Sequence, residues 1–126
     1  MAVRAPEEMH QAFQAAFNAR DLDALLALYE EGAALTPQPG AAVAGHAAIR
    51  EALGGFLGLN GPITMTTKTI IPADDLALLH AEWTLDGTGP DGTPVSLAAR
   101  SSEVVRRQAD GTWRYIIDNP YSVDAA

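Results

Sequence analysis

Apolar positions recur every three or four residues through the first half of the chain and every second residue through the rest. This change of period predicts helices followed by strands. From Pro6 to Arg20, Met9, Ala12, Phe13, Ala16 and Phe17 share one side of a helix, with polar residues opposite. A second helix is predicted to begin at Asp21, whose carboxylate caps it, to carry Leu22, Leu25, Leu26 and Tyr29 on one face, and to stop at Gly32. Ala33 to Thr36 and Ala41 to Ala44 read as short strands around a Pro-Gln-Pro-Gly turn. His46 to Leu57 reads as a third helix with Ile49, Leu53, Phe56 and Leu57 on one face, its end weakened by Gly54, Gly55 and Gly58.

Beyond Gly61 the alternation is two-fold. Pro62 to Pro72 and Leu76 to Asp86 read as long strands joined by Ala73-Asp74-Asp75, the second placing Ala77, Leu79, Ala81, Trp83 and Leu85 on one face. A flexible Gly-Thr-Gly-Pro-Asp-Gly-Thr-Pro segment leads to a third strand, Val95 to Arg107. Asp110-Gly111 then turns into a last strand, Trp113 to Ile117, which Asp118-Asn119-Pro120 is expected to stop while presenting a carboxylate and an amide. Three helices followed by a four-stranded antiparallel meander imply an α+β fold. A strongly bent meander can wrap a helical hairpin and leave a small-molecule pocket between them.

Composition narrows the function. The 126 residues suffice for one domain, taken as 1–126. Sixteen acidic against eight basic side chains give a net charge of −8, a surface that repels a phosphate backbone, so nucleic acid is not an expected partner. The chain has no cysteine, and His10, His46 and His80 lack zinc spacing, so neither a cofactor nor a metal is implied. Arg4, Glu7 and Glu8 interrupt the apolar stretch a signal peptide needs, and no apolar run is long enough to cross a bilayer, so a soluble cytoplasmic protein is expected.

The segments RDLDALLALYEEGAAL, AGHAAIREAL, WTLDGTGPDGTPV and VVRRQADGTWRYIIDNPYS resemble the nuclear transport factor 2-like superfamily, in particular its SnoaL-like branch and SgcJ/EcaC-type proteins. The resemblance covers nearly the whole chain. It implies a cone-shaped, curved antiparallel sheet wrapped around a helical hairpin plus a third helix, the cystatin-like arrangement. Activities in this superfamily include isomerases, dehydratases, polyketide cyclases and epoxide hydrolases, beside non-catalytic binding and assembly modules, so the fold alone does not settle function. At the positions where ketosteroid isomerases carry a tyrosine and two aspartates, this chain has Phe13, Pro37 and Arg100. The acid/base aspartate of SnoaL-type cyclases matches Asp118, although Ile116-Ile117 replace the usual histidine-tryptophan before it.

Asp118 is therefore the candidate general acid/base, with Tyr29 and Asn119 as hydrogen-bonding partners. Strand parity allows only one of Asp118 and Asn119 to face a pocket in a regular strand. Arg100 is the candidate anchor for a ligand carboxylate if its face of the strand is inward, where Ser102 would join it; if outward, it makes an ion pair and Glu103, of opposite parity, takes its place. Trp83, Tyr115, Phe13 and Phe17 are candidate walls of the substrate site. The reading is a small-molecule-binding protein, acting by proton transfer of the cyclase, isomerase or dehydratase kind on an apolar or carboxylate-bearing substrate, or else a non-catalytic ligand-binding or assembly module. A homodimer through the outer face of the sheet is expected, since Leu76, Leu78, His80 and Thr84 lie there.

Overall fold

Helix α1, Met9–Asn18, follows a single 3-10 turn at Pro6–Glu8 in a computed structural model that describes residues 2–124. It buries Met9, Ala12, Phe13 and Phe17 on one side, and with them His10. Asp21 caps α2 as its position predicts, accepting from the Ala24 amide at 3.0 Å. The helix itself is shorter than its periodicity suggests: α2 is Leu22–Leu26, and Tyr29 opens strand β1, Tyr29–Gln38, instead of extending the helical face. The cause is tertiary. The Leu28 carbonyl accepts from the Tyr115 amide, and Tyr29 pairs in register with Tyr115, so sheet pairing outweighs the weak preference of a short helix. After β2, Ala41–Ala44, helix α3 spans His46–Leu57 and buries Ile49, Leu53 and Leu57.

Strands β3 (Ile63–Ala73), β4 (Leu76–Thr88), β5 (Pro94–Arg107) and β6 (Trp113–Asp124) form the predicted antiparallel meander. Strands β1 and β2 extend it to a six-stranded curved sheet of order β2-β1-β6-β5-β4-β3, with β1 parallel to β6. Register gives two informative rows across all six strands. On the face turned to the helices run Ile70, Leu79, Glu103, Asp118, Leu35 and Val43; on the outer face run Ile71, Leu78, Val104, Ile117, Ala34 and Ala44. Two carboxylates thus sit side by side in the middle of an otherwise aliphatic row.

Strand β6 does not stop at Asp118-Asn119-Pro120 but continues to Asp124, because two irregularities absorb what would otherwise end it. Val104 faces Ile117 while Val105 faces Tyr115, leaving Ile116 as an extra residue. That bulge reverses parity, so Tyr115 and Asp118, three apart, both point inward. Further on, Ser102 faces Asn119 and Arg100 faces Val123, so Pro120, Tyr121 and Ser122 lie opposite the single residue Ser101. Proline, which has no N–H to give a ladder, sits where the ladder is already interrupted.

Helix α1 lies along β3 and bonds to its backbone through side chains. Asn18 donates to the Ile63 carbonyl at 3.0 Å and accepts from its amide at 2.8 Å. Gln14 accepts from the Met65 amide at 2.7 Å, and Gln11 donates to the Met65 carbonyl at 3.5 Å.

Candidate functional site

Between α1, α3 and the inner face of the sheet lies a cavity whose walls are Phe13, Phe17 and Phe56 from the helices and Met65, Trp83 and Tyr115 from the strands. About 40 Å³ of it is open to the centre of a water molecule. One water needs roughly 10–15 Å³ by that measure, so a ligand larger than a few waters must displace a side chain on entry. Phe56 is the obvious one. It is only half-buried, stacks on half-buried Tyr121 at 6.4 Å, and stands on the glycine-weakened end of α3. The Trp83 indole is fixed by donating to the Pro120 carbonyl at 2.7 Å, so the β6 irregularity also orients a wall.

The polar end of the cavity consists of Asp118, Glu103 and Ser101. Asp118 is buried, and its Oδ2 accepts from the Tyr29 hydroxyl at 2.5 Å. Burial pushes its carboxyl up from 3.8 to about 7, and the neighbouring Glu103 charge adds to the rise; the Tyr29 bond and His10 act the other way. Tyr29 is itself fully buried, and burial together with the Asp118 charge holds its phenol well above the usual value. Its backbone is pinned by His46, whose Nε2 donates to the Tyr29 carbonyl at 2.8 Å.

Glu103 is held from behind. His10, completely buried, donates from Nε2 to Glu103 Oε1 at 2.9 Å, and its Nδ1 lies 2.7 Å from Thr67 Oγ1. A carboxylate can only accept, so Nε2 carries a proton whatever the state of Nδ1. Ser101, 2% exposed, has a hydroxyl with no hydrogen-bond partner among the described residues. The β6 irregularity explains this, since Ser101 faces the segment that leaves the ladder.

Of the residues expected from sequence, Asp118, Tyr29, Trp83, Tyr115, Phe13 and Phe17 converge on the inner face, with Tyr29 arriving on β1 and not on a helix. Asn119 does not. Its side chain accepts from the Tyr121 amide at 3.2 Å and shapes the β6 irregularity. Arg100 and Ser102 lie on the outer face, where Arg100 approaches Glu82 at 3.4 Å and Ser102 donates to Ser122 at 2.8 Å. The inward alternative for Arg100 is therefore corrected: its strand turns Ser101 and Glu103 inward, because burying a paired carboxylate and a small hydroxyl costs less than burying an unpaired guanidinium. The sequence had one signal for His10: it stands three and seven residues before Phe13 and Phe17, on their helical face. Among the described residues no group of three His, Cys, Asp or Glu side chains converges in the manner of a metal site. No helix there is long and apolar enough to cross a membrane.

The profile of the SnoaL-like domain matches residues 10–116. Solved structures share the fold. A protein from Thiobacillus denitrificans, named for a calcium/calmodulin-dependent protein kinase type II association domain, is 26% identical with a TM-score of 0.76, over 97% of this chain and 99% of that one. A ketosteroid isomerase-like protein from Erwinia carotovora atroseptica is 22% identical with a TM-score of 0.80, over 90% and 89%. A protein from Streptomyces avermitilis, named as a dehydratase of the NTF2-like family, is 16% identical with a TM-score of 0.73, over 93% and 94%. Among curated proteins none matches by sequence.

Proposed function

The chain belongs to the SnoaL-like domain family, and from that premise we propose that it is an acid–base enzyme of the isomerase, cyclase or dehydratase kind, acting on a small, largely apolar molecule in the cavity between helices and sheet. The observation that carries this is Asp118: a buried carboxyl raised to about 7, at the polar end of an aromatic-walled cavity, with the Tyr29 hydroxyl on one oxygen. A group that holds and releases a proton near neutral pH is what proton transfer at carbon or at a leaving oxygen needs. Tyr29 stabilises the ionised form, and its own raised proton affinity keeps it a donor. The names of the ketosteroid isomerase-like and dehydratase neighbours agree with such chemistry. A carboxylate-bearing substrate is not favoured, because Arg100 stands outside the cavity.

The test is deuterium uptake. Compact ketones and β-hydroxy ketones are incubated with the protein in heavy water, and exchange at the carbon next to the carbonyl is followed by NMR. Exchange that falls about 10²- to 10⁴-fold in Asp118→Asn supports the proposal. Equal exchange in both proteins, or none with any compound, supports instead a non-catalytic binding or assembly module, the alternative suggested by the name of the Thiobacillus neighbour.

Two copies are proposed to pair through the outer face of the sheet. The exposed large hydrophobic residues Ile71, Leu76 and Ile117 all lie there, and the row Ile71, Leu78, Val104 and Ile117 is a continuous apolar strip flanked on one side by the polar row Thr69, His80, Ser102 and Asn119. A second copy turned about a two-fold axis would cover that strip with its own.

A further inference from the structure

We propose that the polar end of the cavity is a hydroxyl-recognition site, formed by Glu103, Asp118 and Ser101, and that its ligand is an uncharged, compact apolar molecule bearing an alcohol. This rests on the cavity being the functional site, as proposed above, but not on turnover there.

Three oxygens at that end are outside the hydrogen bonds made among the described residues, and one of them, the Ser101 hydroxyl, is buried without any partner there. They are Ser101 Oγ, the Glu103 oxygen not bonded to His10, and the Asp118 oxygen not bonded to Tyr29. Glu103 and Asp118 face one another across paired strands, and Ser101 is two residues from Glu103 on the same face. Directly opposed side chains have Cβ atoms roughly 4.5–5.5 Å apart and residues two apart on a strand roughly 7 Å, so a small group between Glu103 and Asp118 has Ser101 at its edge. The remaining walls are aromatic and aliphatic.

Charge excludes the other candidates. Among the described residues no lysine or arginine lines the cavity: Arg100 and Lys68 lie beside Glu82 on the outer face, and the imidazole of His10 is committed to Glu103 and Thr67. An anion would meet two carboxyl groups with nothing to neutralise it. An ammonium offers donors only, so it cannot accept from the Ser101 hydroxyl, whereas an alcohol oxygen can. A pure hydrocarbon would leave the Ser101 hydroxyl without a partner. A hydroxyl both donates and accepts: it can give its proton to Glu103, which His10 holds in place, and accept from Asp118 or Ser101.

The experiment is calorimetric titration at pH 6.5 with four molecules of one shape: benzyl alcohol, benzylamine, benzoate and toluene. The expected order places the alcohol first, about tenfold tighter than toluene, with benzoate weakest. Ser101→Ala should erase most of the alcohol's advantage by weakening the alcohol and tightening toluene, and Glu103→Gln should weaken the alcohol without admitting the amine. Benzylamine or benzoate binding tightest, alcohol and toluene binding equally, or no binding by any of the four would overturn the proposal; the wild-type ranking decides this even if a variant fails to fold. Alcohol binding without any deuterium exchange would leave hydroxyl recognition standing and remove catalysis alone.

Discussion

Replacing Asp118 by asparagine should make the protein more stable at alkaline pH, though it removes the residue on which the proposed chemistry depends. In the folded chain the carboxyl is raised from 3.8 to about 7, chiefly by burial. An acid raised on folding keeps its proton in the native state while the unfolded chain has already released it. The native state is therefore favoured most below about pH 4, loses that advantage as pH rises towards 7, and loses no more above it. About three pH units at about 1.4 kcal/mol each give roughly 4 kcal/mol as the full span. Asparagine has the same shape, still accepts from Tyr29 and carries no charge to desolvate. Groups around the site, Tyr29 from β1, Glu103 from β5, Tyr115 from β6 and His10 from α1, are common to both proteins and largely cancel in the difference. Glu30, whose carboxyl is lowered chiefly by Arg106, acts in another window, contributing above its unfolded value and losing that contribution as pH falls below it. Urea unfolding at pH 4.5, 6, 7 and 8 measures the effect. The variant should lie within about 1 kcal/mol of wild type at the lowest pH and exceed it by about 2–4 kcal/mol at the highest. Parallel pH curves, or a variant less stable at pH 8, would show that Asp118 does not carry this cost.

Tyr29→Phe removes the hydrogen bond that lowers the Asp118 carboxyl, so carbon-detected NMR should find that group titrating higher than in wild type; a downward move refutes the role given to the phenol. Leu79→Ala, beside Glu103 in the inner row and fully buried, should lose about 2–5 kcal/mol in the same urea assay, and a loss below 1 would contradict its packing. Gly87→Ala should cost about 1–3 kcal/mol, because a Cβ there would overlap the Leu59 carbonyl oxygen; a neutral result would mean that the loop before β3 yields freely. Ile71→Lys should shift light scattering from dimer to monomer, and a monomeric wild type at micromolar concentration would end the pairing proposal.

How far the sequence carried can be judged residue by residue. Helix α3, strand β2 and the alternation of β4 were legible because one local signal, period or cap, decided each. Tyr29 was misplaced because its spacing from Leu22, Leu25 and Leu26 continues a helix, while its actual partner, Tyr115, lies 86 positions further along the chain. The end of β6 was misplaced because Asp-Asn-Pro is a turn signal wherever the ladder does not tolerate irregularity, and here it does. Asp118 was nevertheless a candidate, through the strand exit and the resemblance, and it lies buried at the cavity. Glu103 was legible only as the opposite-parity alternative to Arg100, since alternation tells which residues share a face but not which face is inside. Alternation put Ser101 on the face of Glu103 and Thr67 on that of Met65, but their roles are set by tertiary contacts: one is distinguished by what fails to pair with it, the other by a helix that meets it from far away in sequence.

The side chains of α1 that bond to Ile63 and Met65 have a consequence for how this molecule behaves beside its own copies. β3 is the last strand on its side of the sheet, and an outermost strand with free amides and carbonyls is a template on which another chain can build. Asn18, Gln14 and Gln11 occupy those groups over the first part of the strand, so an incoming chain would have to break bonds before making any. The opposite border is β2, four residues long, too short to recruit a partner firmly. A sheet rich in apolar alternation is thus kept from growing sideways into fibrils by one helix laid along its border, and what threatens its solubility most is any event that peels that helix away.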